Sequence, residues 1–240
     1  MKRVPESKAS SSFFLVFAVL VSIFGLVSLL PLLAQAGRYQ IDFFFTKPLV
    51  GSLYAGICFL GISAVFYPKK CEKTFMFGKQ PELSGYGEAA VRSGSVRFRG
   101  HHPDCEEFSA NRITIRKVSF CSACTGLLVG AVCALVGTLF YFFAGFVPSM
   151  ADPSFLLVGY VGMLLGLFQF KFGGYVKLMV NGLFVLGSFV FLVAVDLLGE
   201  SLLMDLYGLG LVIFLLLTRI RISEWNNKRI CIRCESCQFH

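Results

Sequence analysis

Six of the nine cysteines and all three histidines of this 240-residue chain fall into two places. The first is His101-His102-Pro103-Asp104-Cys105, followed downstream by Cys121-x2-Cys124; the second is Cys231-x2-Cys234-x2-Cys237 with His240. Tetrahedral zinc takes four ligands drawn from thiolate and imidazole, and a Cys-x2-Cys spacing lets both sulfurs reach one ion within a single tight turn. Cys105, Cys121, Cys124 and one of His101 or His102 complete such a set. Cys231, Cys234, Cys237 and His240 offer a second cluster. Its spacing is half of a ferredoxin pattern. No fourth cysteine follows Cys237 in this sequence, so an iron–sulfur cluster there needs a ligand from elsewhere, and the two clusters sharing one site is one way to provide it. The plain alternative is reduced cysteines that pack as small hydrophobic groups.

Compartment bears on the choice between metal and disulfide. With 56% hydrophobic residues, 27 Phe and a mean hydropathy of +0.73, the chain departs from soluble composition. A helix crosses a hydrocarbon core of ~30 Å with about 20 mostly apolar residues. Six such runs occur, at 13–36, 48–67, 121–146, 154–170, 175–198 and 202–218, the fourth and the last being the shortest. None alternates polar with apolar as a barrel strand would, so a helix must satisfy the backbone within each segment. The fold class is therefore an all-α polytopic membrane protein of about six transmembrane helices. A cytosolic N-terminus places 20 of the 22 basic residues on the inner side and only Arg38 and Lys47 outside, a nearly complete positive-inside bias. That distribution accounts for the net charge of +8 without nucleic acid. Both termini and both clusters then face the cytosol from the cell (plasma) membrane, where thiols stay reduced and metal ligation is the leading chemistry. The start also imitates a secretory leader, with Ala34-Gln35-Ala36 as a cleavage site. Its apolar stretch exceeds the ~7 to 15 residues of a signal core, so an uncleaved helix is expected.

Four regions follow: a leading helix pair (1–67), a cytosolic loop with the Cys/His knuckle (68–119), a four-helix membrane unit with short connections (120–218) and a Cys-rich cytosolic tail (219–240). The loop is too short and too polar for a core of its own and needs a staple. Val96 and Phe98 alternate with Arg97 and Arg99, and Ile113 and Ile115 with Thr114 and Arg116, which predicts two short strands, a hairpin flanking the histidines. Gly126 and Gly130, and Gly162 and Gly166, have the small-xxx-small spacing that lets membrane helices approach closely, though glycine is common in such helices anyway. Cys121 and Cys124 open the third helix, where unpaired N–H groups and the helix dipole favour thiolate, as do Arg112, Arg116 and Lys117 nearby. This suits a metal and equally a redox dithiol.

The remaining candidates read as structural. Cys58 and Cys133 lie in apolar runs as packing residues, and Cys71 is a spare thiol near the boundary. Asp196 falls near an outer helix end beside Glu200 and Asp205, which predicts a solvated, interfacial acid that folding does not need. Asn181 is an interhelical hydrogen-bonding residue, and Trp225, past the last helix, an interfacial anchor. There is no phosphate loop, no Gly-x-Ser-x-Gly elbow and no His-Glu-x-x-His helix. With Asp196 the single conspicuous intramembrane charge, a proton-coupled transporter is disfavoured.

The segment from Cys105 to Gly130, above all Phe120-Cys121-Ser122-Ala123-Cys124-Thr125-Gly126 running into a membrane helix, resembles a prokaryotic membrane family catalogued as domain of unknown function 2085. The resemblance covers about a tenth of the chain and maps onto Cys105, Cys121, Cys124, Thr125 and Gly126. That family has no established activity, so the resemblance supports the site and names no reaction. The expectation is a membrane protein that binds zinc through cytosolic Cys/His clusters, a structural module or a docking surface for a protein partner. An iron–sulfur centre or reactive dithiol is the alternative, and a soft-metal transporter or sensor a third. Whether the chain is an enzyme is left open by these residues.

Overall fold

The computed structural model describes residues 8–36, 45–66, 97–99, 106–115, 118–147 and 153–233. Among them are six α-helices: α1 (Lys8–Ala36), α2 (Thr46–Phe66), α3 (Ser122–Thr138), α4 (Pro153–Leu167), α5 (Gly174–Gly199) and α6 (Leu202–Arg233). A π-helical turn, Leu139–Phe143, extends α3. Four helical stretches are long and apolar enough to cross a membrane, at Thr46–Phe66, Ser122–Phe143, Gly174–Gly199 and Leu202–Asn227, while Val16–Leu29 and Ser154–Leu167 are shorter apolar helices. Large apolar side chains face outward around the bundle, including Phe24, Phe59, Phe140, Leu157 and Met179, each more than half exposed. A soluble protein does not display such a belt. This is a helical membrane protein.

Helix α5 is the centre, enclosed by α3 on one side and α4 on another. Lipid gives packed helices little hydrophobic incentive to associate, so close backbone contact must hold them. Both glycine pairs singled out above line these seams. A Cβ on Gly126 would stand 2.2 Å from the Leu178 carbonyl oxygen, and one on Gly130 would stand 2.8 Å from that of Gly182. Across the other seam a Cβ on Gly162 would meet Leu183 O at 2.8 Å, and one on Gly166 would meet the Phe184 ring. Buried hydroxyls add interhelical bonds. Tyr54 on α2 donates to Val185 O on α5 at 3.0 Å, and Tyr160 on α4 to Leu26 O on α1 at 2.5 Å. Helix α1 packs chiefly on α6, and α2 on α3.

The sequence run at 202–218 proves to be the first half of the longest helix. Residues 219–233 contain no glycine or proline to stop it, so α6 continues to Arg233 when the apolar stretch ends. Trp225 is therefore inside the helix, half-buried under the Arg229 guanidinium at 4.6 Å from its ring centroid.

Before α3 lies a small sheet of β1 (Arg97–Arg99), β2 (Arg112–Ile115) and β3 (Val118–Cys121) in the order β1-β3-β2. The two anticipated strands are present but are not each other's neighbours. β3 lies between them, parallel to β1 and antiparallel to β2. β3 runs directly into α3, with Cys121 both its last residue and the extended N-cap of the helix (φ −68°, ψ 118°).

Candidate thiol and cation site

The sheet-to-helix junction fixes the two thiols. Cys121 is 2% exposed and lies opposite Arg112 across the β2–β3 ladder. Cys124 is one turn into α3 and half-buried. Both are reduced, and their sulfurs are within hydrogen-bonding reach of each other. Thr125 donates to the Cys121 carbonyl at 2.9 Å, and Ser122 to Asn111 O at 3.0 Å, which pins the 3₁₀ turn Glu106–Asn111 onto the start of α3.

Two buried cations from other helices face this pair. Lys177 on α5 and Arg219 on α6, 7% and 4% exposed, both lie in the electrostatic field of Cys121 and Cys124. Lys177 Nζ donates to Asn111 Oδ1 at 2.5 Å. Arg219 donates through Nη2 to Gln169 Oε1 at 3.0 Å and to Asn181 Oδ1, and its guanidinium stacks 5.2 Å from the Phe184 ring centroid. Asn181 Nδ2 closes the network on Lys177 O at 2.5 Å. Every bond here goes to a neutral acceptor. Among the described residues no carboxylate pairs with either cation, and Arg219 Nε and Gln169 Nε2 have no hydrogen-bond partner. Two positive charges held in a bundle interior require a counter-charge. The two sulfurs lie within the electrostatic field of both cations.

Comparison with protein families, curated proteins and solved structures returns no match. The site is therefore read from its own chemistry. Cys121 and Cys124 come together as expected. Cys105, His101, His102, Cys234, Cys237 and His240 lie outside the described residues. Cys231 is described only as backbone within α6, about 18 Å beyond Arg219 along the helix axis at 1.5 Å per residue. Among the described residues no three Cys, His, Asp or Glu side chains converge as a metal ion would need. Cys58 is buried and packs, as expected, whereas Cys133 faces outward from α3. Cys71 is outside the described residues.

Two readings, both of Asp196, need correction, while Asn181 makes the interhelical hydrogen bond expected of it. Asn181 is fully buried at the centre of the cation network, bridging Lys177 and Arg219. Asp196 is not a solvated acid: it is 7% exposed, accepts a 2.5 Å hydrogen bond from Tyr141 Oη and stands 3.4 Å from Lys47 Nζ. Nor is it a solitary charge, since Lys177, Asp205 and Arg219 are also buried within membrane-length helices. Sequence counting placed Lys177 and Arg219 as boundary charges because each adjoins an apolar run. The i,i+4 spacing of Lys177 and Asn181, which stacks them on one helix face, was the available signal.

Proposed function

We propose that this is a six-span membrane protein that binds a zinc ion at its cytosolic face through Cys121 and Cys124 as thiolates, together with Cys105 and one of His101 or His102. The observation that carries the reading is the pair of buried cations, Lys177 and Arg219, lying within the electrostatic field of the Cys121–Cys124 pair with no carboxylate on them among the described residues. A coordinated zinc ion itself deprotonates its thiol ligands, and nearby cations favour the resulting thiolates. A zinc ion with three thiolates and one imidazole carries one net negative charge, which this environment can balance. The 3₁₀ turn Glu106–Asn111, which follows Cys105 in the sequence, is bonded at its far end to Ser122. The tail, Cys231 to His240, offers a second cluster or further ligands to the same ion. Such a module closes the 68–119 loop onto the helices and presents a cytosolic surface for a protein partner. Membership in the family resembled at Cys105 to Gly130 is part of the same proposal.

Support for the orientation comes from how polar residues sort. Lys47, Tyr141, Asp196 and Asp205 gather at one end of the bundle, and Asn111, Cys121, Lys177 and Arg219 at the other. With up-and-down helices, that is the sorting a cytosolic N-terminus and the positive-inside bias require.

A second reading rests on the same geometry. A vicinal dithiol at a helix N-terminus beside two cations also suits reversible oxidation or an iron–sulfur centre. Elemental analysis of the full-length protein, purified without oxygen in mild detergent, separates them. Zinc in a colourless protein, lost on Cys121→Ser or Cys124→Ser and kept on Cys58→Ser, supports the proposal. A brown protein that bleaches in air, or a metal-free protein with a titratable dithiol, sinks it in favour of the redox reading.

A further inference from the structure

The opposite end of the bundle carries a second polar cluster that the thiol site does not use. The tight α5–α6 turn reverses the chain at Glu200, whose left-handed φ of 41° lets α6 start at Leu202. This reversal brings Asp196, in the last turn of α5, against Asp205, in the first turns of α6. Asp196 Oδ2 accepts from Tyr141 Oη at 2.5 Å and pairs with Lys47 Nζ at 3.4 Å, while Lys47 also lies 5.1 Å from the Tyr141 ring centroid. Asp205 is 2% exposed, and neither of its carboxylate oxygens has a hydrogen-bond donor. Its backbone N–H donates to Ser201 O at 3.1 Å. Among the described residues, the charged and titratable groups facing it are Asp196 from α5, Lys47 from α2 and Tyr141 from the end of α3.

Among the described residues the charges do not balance. Lys47 neutralises one carboxylate, and the geometry gives it to Asp196. Asp205 is left buried against a like charge. Two ionised carboxylates accept hydrogen bonds and donate none, so they cannot bond to each other. A single proton between them removes the excess charge and supplies the missing donor at once. An alkali cation would have to displace Lys47, whose ammonium already occupies the approach to Asp196.

We propose that Asp205 and Asp196 form a proton-binding carboxyl pair at the outer end of the bundle, with Lys47 and Tyr141 holding Asp196 in place. Lys47, whose side chain is 46% exposed, is the open side of the cluster. Binding takes one proton from solvent and breaks no covalent bond. An intramembrane acid pair of this kind is the element a proton-responsive or proton-coupled membrane protein needs.

Infrared spectroscopy of the full-length protein in lipid, titrated from neutral to alkaline pH, tests the assignment. The expected result is a protonated-carboxyl C=O band at neutral pH that shifts in D2O and disappears on alkalisation. It should be absent in Asp205→Asn, whose amide replaces the shared proton's donor and so should fold. The isotope shift in the unaltered protein keeps the test valid should that variant not fold. No protonated-carboxyl band at neutral pH, a band unchanged in both Asp205→Asn and Asp196→Asn, or a band removed by sodium chloride but not by potassium chloride would each overturn the proposal. The last outcome would make the pair a sodium site.

Discussion

Replacing Gly126 by alanine perturbs the contact that holds the thiols over the cations. The added Cβ would lie 2.2 Å from Leu178 O, 3.0 Å from the Leu178 carbonyl carbon and 3.0 Å from Asn181 Cβ. The first two neighbours are backbone and cannot swing aside. Opening that contact to about 3.0 Å forces α3 and α5 apart by roughly 0.8 Å, which rigid, close-packed interiors resist. Overpacking of this kind costs about 1–3 kcal/mol. At roughly 2–4 °C per kcal/mol for a chain of this size, the thermal midpoint should fall by about 2–12 °C. Gly56→Ala is the internal control, because a Cβ there meets nothing within 4 Å. It should hold or raise the midpoint slightly, since alanine favours the helix by ~1 kcal/mol. The assay is thermal unfolding of both variants in one detergent, with zinc content measured alongside. A Gly126→Ala protein as stable as its parent, or one no less stable than Gly56→Ala, would refute the close α3–α5 seam and with it the positioning of Cys121 and Cys124 over Lys177.

Three further outcomes follow from the same geometry. Asp196→Ala leaves Tyr141 Oη without its acceptor and Lys47 without its partner, and should lower stability by about 1–3 kcal/mol in thermal unfolding. Arg219→Lys keeps the charge but loses the planar fork that reaches both Gln169 and Asn181, so zinc content should drop while membrane insertion is unchanged. Membrane-impermeant thiol labelling of intact cells should miss Cys105 and Cys237, and labelling of either from outside would reverse the proposed orientation.

The apolar runs declared the helices because lipid permits few backbone solutions, and their bounds were legible to within a few residues for α2, α4 and α5. The end of α6 was not, since a hydropathy run marks where lipid stops and helix propensity continues through residues 219–233. Local pattern also found β1 and β2. It missed β3, whose four residues Val118 to Cys121 read as the approach to a helix and whose pairing with Arg97–Arg99 is long-range. At the site, Cys121 and Cys124 were legible because their chemistry lies in their spacing. Lys177, Arg219, Tyr141 and Lys47 were not, because their roles arise when four different helices converge, and single-chain periodicity carries no register between helices. Asp196 was misread for the same reason: a position near a helix end says nothing about which neighbour covers it.

The distance between the two polar clusters explains why both must be satisfied within the protein. From Asn181 to Asp196 along α5 is about 22 Å, and from Asp205 to Arg219 along α6 about 21 Å, at 1.5 Å rise per residue. A hydrocarbon core is ~30 Å thick, so a bundle centred in it holds each cluster several ångströms below its own interface. Water cannot solvate groups at that depth on a lipid-facing surface, and each charge must find its partner inward. The segment between the clusters on α5 is correspondingly buried and apolar from Phe191 to Val195, with Ser188 satisfied by Tyr54 Oη at 2.9 Å. The thiol–cation site and the carboxyl pair thus share two helices without sharing a path. On α5 and α6 the buried basic groups, Lys177 and Arg219, gather at one end and the buried acidic groups, Asp196 and Asp205, at the other.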